Sequence, residues 1–496
     1  MRRQDQILRL AIGLALFAAT QSSAAQVTDP NDTSCHRAYD LVIARGRVID
    51  PETDFDAIRY VGLCGDKVAA ISTQPLSARD TIDAAGLVVA PGFIDLHWHG
   101  QRLDSYWRQA HDGVTSSFEL EVGSADVDRW YAERANSSVI HHGVAIGHIP
   151  LRMAVMGDDG EFLPRGPAAF ERATDAQLAE IKARFEYGLK RGAVAAGFGI
   201  AYTARAAQWE ILELFRIAAR YHASVHVHIR GASSASGSAA EREPGLTEVI
   251  AAAAITGAPV HIVHVQSSGQ QATARFLSII EEVRGRGLDI STECYPYTAG
   301  ATRLESFLFD DWVDRPAQDY QKLQWAASGE RLTRESFLRY RADGGLVLIH
   351  ANSEDVVRAA VRHPLTMIAS DGFDIDGRAG HPRSAGTFSR VLGKHVREWG
   401  DLDLKTALAK MTLMPANRLR DRVPNMAYKG RLRVGADADI AIFDAETIAD
   451  LATYETPGEP PKGMHHVIVG GQAVIRNGAP VLGRLPGRPI RAALEP

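Results

Sequence analysis

The pattern His-x-His occurs at His97 and His99, at the end of the apolar segment PGFIDLHWHG. Alternate residues of a β-strand point to the same face, so the two imidazoles would converge while Trp98 points away from them. Neutral imidazoles are good ligands for zinc and similar divalent ions. Such pairs also occur by chance, but this one directly follows a β-rich segment and a Pro-Gly turn. The pair therefore predicts a metal site at the end of a strand.

Two further strand-like segments end in histidines. His228 closes VHVHIRG, and His264 lies at the end of HIVHVQ. Each has a neighbour within three residues, His226 or His261, and a lone histidine on such a strand is more often a buried core residue than a ligand. Because two successive strands carry the pattern, we predict His228 and His264 as metal ligands, and His226 and His261 as core residues.

An aspartate, Asp371, follows the last strand-like segment in the sequence IASDGF. A carboxylate at this position could bind a metal, or it could take a proton from metal-activated water and pass it to a leaving nitrogen. The alternative role is the N-cap of the following helix. Together with the histidines, Asp371 is predicted to be the catalytic general base and acid.

The elements that must position these residues alternate between strands and helices from residue 91 to 423. Amphipathic helices such as DAQLAEIKARFEYGLKRG separate the strand-like runs FIDLHWH, GVTSSFELEVG, VAIGHIP, GAVAAGFGIAY, ASVHVHIRG, APVHIVHVQ, LDISTECYPY, GLVLIHAN and LTMIASDG. This alternation predicts an α/β fold with a parallel (β/α)8 TIM-like barrel, whose active site lies at the carboxyl ends of the strands. Residues 303–343 are predicted to be either an inserted lid or an ordinary long crossover.

Both ends of the chain are rich in short strands and turns instead. Residues 38–90 and 424–482 contain runs such as YDLVIARGRVID and MHHVIVGGQAVIRNG, with Gly and Asp at the breaks. The simplest architecture joins them into one small β-sandwich beside the barrel. Residues 25–37 are then a linker, and residues 483–496 are a C-terminal tail.

The first 24 residues have the composition of an export signal. A basic start precedes an apolar run at residues 7–19, broken only by Arg9, and small residues allow cleavage after Ala24 or Ala25. The run is too short to cross a bilayer comfortably as a permanent helix, although an uncleaved anchor is the alternative. We expect an exported protein, periplasmic or secreted, without stable membrane insertion after cleavage.

The chain has 496 residues, of which 45% are hydrophobic and 23% charged, and its formal net charge is −5. This composition is ordinary for a globular protein and gives no reason to expect nucleic acid as a partner. Export permits disulfides. Cys35 and Cys64 are therefore either a disulfide or two buried thiols, and Cys294, in a buried-looking strand, is the odd one out.

These segments resemble the amidohydrolase superfamily, and within it the N-acyl-D-amino-acid deacylases, or D-aminoacylases. The resemblance covers nearly the whole mature chain and rests on PGFIDLHWHG, GVTSSFELEVG, VHIRG, IVHVQSSG, ECYPYTAG, SDG, HPRSAGTFSRVLG and GRLRVGADADIAIFD. It implies a barrel with a small β-sandwich built from both chain ends, and one or two zinc ions. His97, His99, His228 and His264 match the ligand positions, and Asp371 matches the catalytic aspartate.

The same resemblance places four residues near a substrate. Tyr295 and Tyr297 fall at a strand end in YPY, while His381 and Arg383 fall in the loop sequence HPR. Arg383 could bind a substrate carboxylate bidentately, a geometry that suits a guanidinium group. Its alternative role is a structural salt bridge. The expected partner is thus a small-molecule substrate that bears a carboxylate.

The chain departs from the deacylase pattern at two positions. Val122 stands where deacylases usually have a cysteine ligand, and valine cannot bind a metal. The fourth strand, GAVAAGFGIAY, also lacks the lysine that bridges two metals in other members of the superfamily. We therefore predict Glu121 as the bridging ligand, with Glu119 as the alternative, or as a partner of a ligand histidine. Gln266 replaces a frequent lysine, which leaves the mode of substrate binding open.

The resulting hypothesis is metal-dependent hydrolysis of a linear amide C–N bond in an N-acyl-D-amino acid. The alternatives on the same site are a cyclic amide hydrolase of the hydantoinase or dihydroorotase type, a dipeptidase and a deaminase, because fold alone does not fix the reaction. A non-catalytic relative is disfavoured, since it would have lost ligands. A homo-oligomer is left open.

Overall fold

The computed structural model describes Cys35 and residues 38–100, 102–231 and 239–495. The predicted export signal and nearly all of the predicted linker lie outside the described residues. Among the residues that are described, no helix is both long and apolar enough to cross a membrane.

The strands near both chain ends form one sheet, and the barrel strands lie between them in sequence. They are β1 (Tyr39–Asp50), β2 (Phe55–Cys64), β3 (Lys67–Ser72), β4 (Ala78–Asp83), β5 (Val88–Pro91), β6 (Phe93–Asp95), β7 (Val114–Ser124), β8 (His141–Gly147), β9 (Ala196–Gly199), β10 (Val225–His228), β11 (Val260–Ile262), β12 (Ile290–Cys294), β13 (Ala299–Arg303), β14 (Leu323–Trp325), β15 (Leu346–His350), β16 (Thr366–Ile368), β17 (Ile440–Phe443), β18 (Met464–Val469), β19 (Gln472–Arg476) and β20 (Ala479–Pro480).

The helices lie mainly between the barrel strands. They are α1 (Leu103–His111), α2 (Val127–Glu133), α3 (His148–Met156), α4 (Pro167–Phe170), α5 (Asp175–Lys190), α6 (Gln208–Arg220), α7 (Ala239–Thr256), α8 (Val265–Gly269), α9 (Thr273–Gly285), α10 (Ala317–Tyr320), α11 (Arg334–Asp343), α12 (Glu354–Arg362), α13 (Arg383–Arg390), α14 (Leu404–Met411) and α15 (Leu413–Leu419). Short 3-10 segments occur at Gln270–Ala272, Phe307–Trp312 and Pro424–Tyr428, and Val391–Glu398 is π-helical.

Eight parallel strands form the barrel in the order β6, β7, β8, β9, β10, β11, β12 and β16. The barrel closes through backbone hydrogen bonds between the segments that follow β6 and β16. The Asp371 N–H donates to the His97 carbonyl, and the His99 N–H donates to the Gly372 carbonyl, each over 2.8 Å. The predicted (β/α)8 barrel is confirmed, and its closure brings the first and last candidate residues together.

The strands are apolar because helices cover the outside of the barrel. Phe198, Val225, Val227 and Ile262 are fully buried and pack in one apolar cluster with residues of the surrounding helices. Parallel strands that are covered in this way appear in sequence as nearly continuous apolar runs, which is the pattern that predicted them.

The small β-domain contains strands from both chain ends, as predicted. The strands β1–β5 and β17–β20 form one nine-stranded sheet, in which β5 pairs antiparallel with β17. Ile43, Val61, Val89, Ile440 and Ile468 are fully buried in a single apolar cluster that these strands share. The pairing of β5 with β17 therefore joins the two halves directly by hydrogen bonds.

A smaller sheet, β13–β15–β14, lies between the seventh and eighth barrel strands. The run GLVLIHAN, which was expected to be a barrel strand, is β15 and pairs antiparallel with β13 and β14. That expectation was wrong because a short apolar run does not reveal which sheet it joins. The inserted unit thus extends beyond 303–343, from Ala299 to His350, and it has its own core of Leu304, Phe309, Trp312, Tyr320, Leu323, Leu332, Phe337 and Val347.

The predicted C-terminal tail is fastened across the base of the barrel. The Ile490 N–H donates to the His142 carbonyl at the start of β8, and the His142 N–H donates to the Arg488 carbonyl. Further along, the Ala492 N–H donates to the Gly192 carbonyl. These bonds satisfy backbone groups at the amino ends of the barrel strands.

Two of the three cysteines form a disulfide, and the third is a free thiol. Cys35 and Cys64 form a disulfide that ties the start of the described chain to β2, and Cys294 is free and buried in β12. Burial raises the pKa of the Cys294 thiol to about 12, so this thiol stays protonated at neutral pH.

Candidate metal centre

The first group of candidate ligands lies where β6, β7 and β16 end. One ligand atom from each of His97, His99, Glu121 and Asp371 lies within 4.8 Å of all the others, and all four residues are buried. His97 Nε2 lies 2.7 Å from Glu121 Oε2. The Nε2 atoms of His97 and His99 both lie 3.4 Å from Asp371 Oδ1. The barrel thus brings together residues that are far apart in sequence.

The second group consists of Glu121, His228 and His264. His228 Nδ1 lies 3.0 Å from Glu121 Oε1, and His264 Nε2 lies 3.1 Å from His228 Nδ1. The two carboxylate oxygens of Glu121 therefore face different histidines, so Glu121 belongs to both groups. Imidazole nitrogens and carboxylate oxygens are donors that fit zinc and related divalent ions, and a shared carboxylate could bridge two of them.

Two of these residues have a left-handed backbone. His264 has a φ of 33° and Asp371 a φ of 52°, conformations that cost free energy in residues other than glycine. In Asp371, the hydrogen bond from its N–H to the His97 carbonyl holds this conformation. With this backbone, the Asp371 carboxylate faces His97 and His99.

Glu119 occupies a different place from Glu121. Its Oε2 lies 2.8 Å from His99 Nδ1, the ring nitrogen opposite the one that faces the ligand group. Its Oε1 accepts hydrogen bonds from the N–H groups of Val122 and Gly123. Within the described part of the chain, Glu121 and not Glu119 lies among the candidate ligand atoms, and Glu119 contacts a ligand histidine from behind.

A second carboxylate plays the same part for His97. Glu293 in β12 has Oε1 at 2.6 Å from His97 Nδ1, and its Oε2 lies 3.0 Å from His261 Nε2. Sequence reasoning missed Glu293, although it lies in β12 two residues before Tyr295 in ECYPYTAG. His226 and His261 fall outside both ligand groups among the residues described, as expected for core residues.

The charges in the site hold both acidic groups ionised. Burial raises the pKa of the Glu121 carboxyl, but His228, His264 and His97 outweigh it and hold that pKa well below its usual range. Burial also raises the pKa of Asp371, while Arg383 and His97 lower it to about 2. Both carboxylates are therefore available as ligands or bases at neutral pH.

Arg383 lies directly behind the wall of the site. Its guanidinium carbon is 4.5 Å from the ring centre of Tyr295 and 5.4 Å from that of Phe373. Nη1 forms an ion pair with Asp371 Oδ2 over 3.0 Å. The Arg383 side chain is buried, and none of its guanidinium nitrogens has a partner with hydrogen-bond geometry in the described structure. Arg383 thus pairs with Asp371 from behind the wall and does not line the cavity among the described residues.

The other residues predicted near a substrate divide into two kinds. Tyr295 lines the cavity above the ligand groups. His381 and Tyr297 do not line that cavity as far as the described residues show. His381 instead faces the Ala299 carbonyl over 2.9 Å and accepts a hydrogen bond from the Arg383 N–H, and Tyr297 donates to Asp450. These two residues pack against each other beside the start of α13, which begins at Arg383.

The cavity above the ligand groups contains both polar and apolar surfaces. Its polar side includes Ser267, Ser268 and Tyr295, next to the histidines. Its apolar side is lined by Val122, Phe162, Leu163, Tyr202, Leu308 and Ile349. Leu308 and Ile349 belong to the inserted unit, which therefore forms part of the wall over the site.

The Amidohydrolase family model matches residues 141–475 of the chain. The chain belongs to the amidohydrolase family. The N-acyl-D-glutamate deacylase of Alcaligenes xylosoxydans xylosoxydans is 32% identical to this amidohydrolase, over 91% of this chain and 96% of the relative. The D-aminoacylase of the same organism is 31% identical, over 89% of this chain and 94% of the relative.

A solved structure shares the whole architecture. The N-acyl-D-glutamate deacylase of Bordetella bronchiseptica, in complex with zinc and a phosphonate that mimics the tetrahedral intermediate of its reaction, matches this amidohydrolase with a TM-score of 0.78. The two are 28% identical, and the match covers 92% of this chain and 100% of that chain.

Proposed function

We propose that this amidohydrolase is a zinc-dependent deacylase that hydrolyses the linear amide bond of N-acyl-D-amino acids. The observation that carries the proposal is the buried pair of ligand groups that share Glu121, placed next to Asp371 and Arg383. Similarity to deacylases over most of the chain supports the choice of substrate class.

In this proposal, His97 and His99 would hold one zinc ion, His228 and His264 would hold the other, and Glu121 would contribute to both, with Asp371 beside them as the base. Zinc at such a site supplies a Lewis acid for the amide carbonyl and makes water a nucleophile at neutral pH. Asp371 Oδ1 faces both His97 Nε2 and His99 Nε2, so it can accept the proton of the attacking water and return it to the leaving nitrogen.

Arg383 is the proposed anchor for the substrate carboxylate. A guanidinium group can bind a carboxylate bidentately, and that of Arg383 lies beside Asp371, where the reacting amide would sit. Gln266 does not replace this charge, because its amide group donates to the Tyr295 carbonyl and the side chain is buried. We therefore propose Arg383, beside Asp371, as the cationic contact, with Arg303, which lines the cavity, as the alternative.

The direct test is a substrate panel on the zinc-loaded protein, scored by amine release. It contains N-acetyl-D-amino acids, their L-enantiomers, hydantoins and dipeptides. We expect hydrolysis of the D-amides, with little turnover of the other classes. Faster ring opening of hydantoins, or faster cleavage of dipeptides, would refute the deacylase assignment in favour of the corresponding alternative.

We also propose that the protein is exported. The basic and apolar composition of residues 1–24 supports this, and so does the Cys35–Cys64 disulfide, since disulfides persist in oxidising compartments. Sequencing the N-terminus of protein recovered from the periplasm or the medium tests the proposal. We expect mature protein that begins at Ala25 or Gln26, and recovery of uncleaved protein with the cytoplasmic membrane would contradict it.

A further inference from the structure

The interior of the barrel below the ligand groups is polar. Barrel interiors are usually filled by layers of branched apolar side chains. Here the strands β10, β11 and β12 contribute His226, His261, Ser291 and Glu293, all of them buried. Burying polar groups costs free energy unless they are paired, so this layer calls for a specific role.

Three members of this layer, Ser291, His261 and Glu293, form a continuous chain of contacts that ends at a candidate ligand. His97 Nδ1 lies 2.6 Å from Glu293 Oε1. Glu293 Oε2 lies 3.0 Å from His261 Nε2, and His261 Nδ1 lies 2.7 Å from Ser291 Oγ. Both oxygens of the Glu293 carboxylate are thus engaged, one by His97 and one by His261.

The contact with Glu293 determines which ring nitrogen of His97 carries the proton. An ionised carboxylate only accepts hydrogen bonds, so the contact with Glu293 requires a proton on His97 Nδ1 and leaves the Nε2 lone pair directed at the ligand group. The Nε2 atom indeed faces Glu121 Oε2 and Asp371 Oδ1. A carboxylate behind a ligand histidine fixes its tautomer and ring orientation.

We propose that Glu293 is a positioning residue that presents His97 to the metal, and that His261 holds Glu293 in place from below. The inference rests on the proposed metal-dependent function, but it concerns metal binding and not the choice of substrate. It assigns a role to the buried polar layer, which neither binds the metal nor lines the cavity in the described residues.

The test compares Glu293→Ala and Glu293→Gln with the wild-type protein. Zinc affinity is measured by competition with a chelator, and the ligand geometry by the visible absorption of the Co2+-loaded protein. We expect zinc affinity to fall about 10- to 100-fold in E293A, the usual effect of losing such a partner. We expect a smaller loss in E293Q, because the amide oxygen can still accept from His97 Nδ1, and an altered Co2+ spectrum in both variants.

Glu210→Gln is the matched control. Glu210 is as deeply buried as Glu293 and also faces a histidine, with His148 Nε2 at 2.7 Å from Glu210 Oε1, but this pair lies outside the ligand groups. We expect E210Q to lower the thermal stability while leaving the zinc affinity and the Co2+ spectrum unchanged. A purely structural role for Glu293 would give the same pattern in E293Q.

An unchanged zinc affinity and Co2+ spectrum in E293Q, with only a lower thermal stability, would therefore overturn the inference. If E293A does not fold, E293Q and His261→Gln decide the question by the same two measurements. Deacylase activity is scored separately. A wild-type protein that binds zinc but hydrolyses no N-acyl-D-amino acid refutes the proposed function and leaves the positioning role of Glu293 testable and intact.

Discussion

Two buried polar clusters of this amidohydrolase differ in how their members are paired. At the barrel mouth, candidate metal-ligand atoms of the same kind lie close together, as in the 3.1 Å contact between His97 Nε2 and His99 Nε2. Where the β-domain meets the barrel, Asp439 instead contacts His141 over 3.0 Å and Lys429 over 2.6 Å. Both clusters are buried.

The difference separates a cluster that serves binding from one that serves stability. The cluster at Asp439 is complementary in charge and also accepts the Gly470 N–H, so it satisfies itself. The cluster at the mouth gathers imidazole nitrogens and carboxylate oxygens that a divalent cation would hold together. Burial alone therefore does not identify a site, whereas a buried group of metal-ligand atoms from distant strands does indicate one.

Removing the shared carboxylate of Glu121 should have the largest effect on zinc binding and activity. In Glu121→Ala, both ligand groups lose a member, so we expect less zinc per chain than in the wild-type protein and no detectable amide hydrolysis. Metal analysis of the purified variant and the amine-release assay check this. A variant that retains its full zinc content would show that Glu121 is not a ligand.

Replacing Asp371 should separate chemistry from metal binding. In Asp371→Asn, we expect kcat to fall about 10²- to 10⁴-fold, because the proton acceptor is lost while the amide keeps a similar shape. The zinc content should remain near that of the wild-type protein. Near-normal turnover would remove Asp371 from the mechanism.

Replacing Asp439 should affect stability and leave the chemistry intact. Asp439→Asn leaves the buried Lys429 ammonium with a weakened set of partners, so we expect a loss of about 3 to 5 kcal/mol in the free energy of unfolding. Urea denaturation measures this loss, and kcat of the folded variant should equal that of the wild-type protein. A large fall in kcat would instead connect this cluster with the active site.

The stability difference between wild type and D439N is expected to depend on pH. Burial raises the pKa of Asp439, but His141 and Lys429 outweigh it and hold that pKa well below its usual range. A carboxyl whose pKa is lowered by folding stabilises the protein above its unfolded pKa, near 3.9, and loses this contribution as the pH falls below that value. The stability difference between wild type and D439N should therefore be constant near neutral pH and shrink below about pH 4.

The sequence predicted those site residues whose positions follow from the local periodicity of strands. The period of two along strands placed His97 and His99 on one face, and the strand ends placed His228, His264 and Asp371 at the mouth of the barrel. Glu121 was preferred to Glu119 only because it adjoins Val122. The structure adds the physical distinction, since Glu119 Oε1 is held by the N–H groups of Val122 and Gly123.

The features that the sequence did not predict depend on contacts between residues that are distant in the chain. Glu293 lies 196 residues from His97 in sequence, so no local pattern links them. The run that forms β15 has the composition of a barrel strand, and only its antiparallel partners assign it to the inserted unit. His381 and Tyr297 lie in motifs near the site, but their side chains face a backbone carbonyl and Asp450.

The pairing of β5 with β17 also bears on how the chain is made. Pro91 lies opposite Ile440, so the β-domain cannot be completed until nearly the whole barrel sequence has left the ribosome. Until then, β5 exposes a strand edge that could join other chains. Slow synthesis at low temperature, or an excess of a chaperone that shields such edges, should therefore increase the yield of recombinant protein.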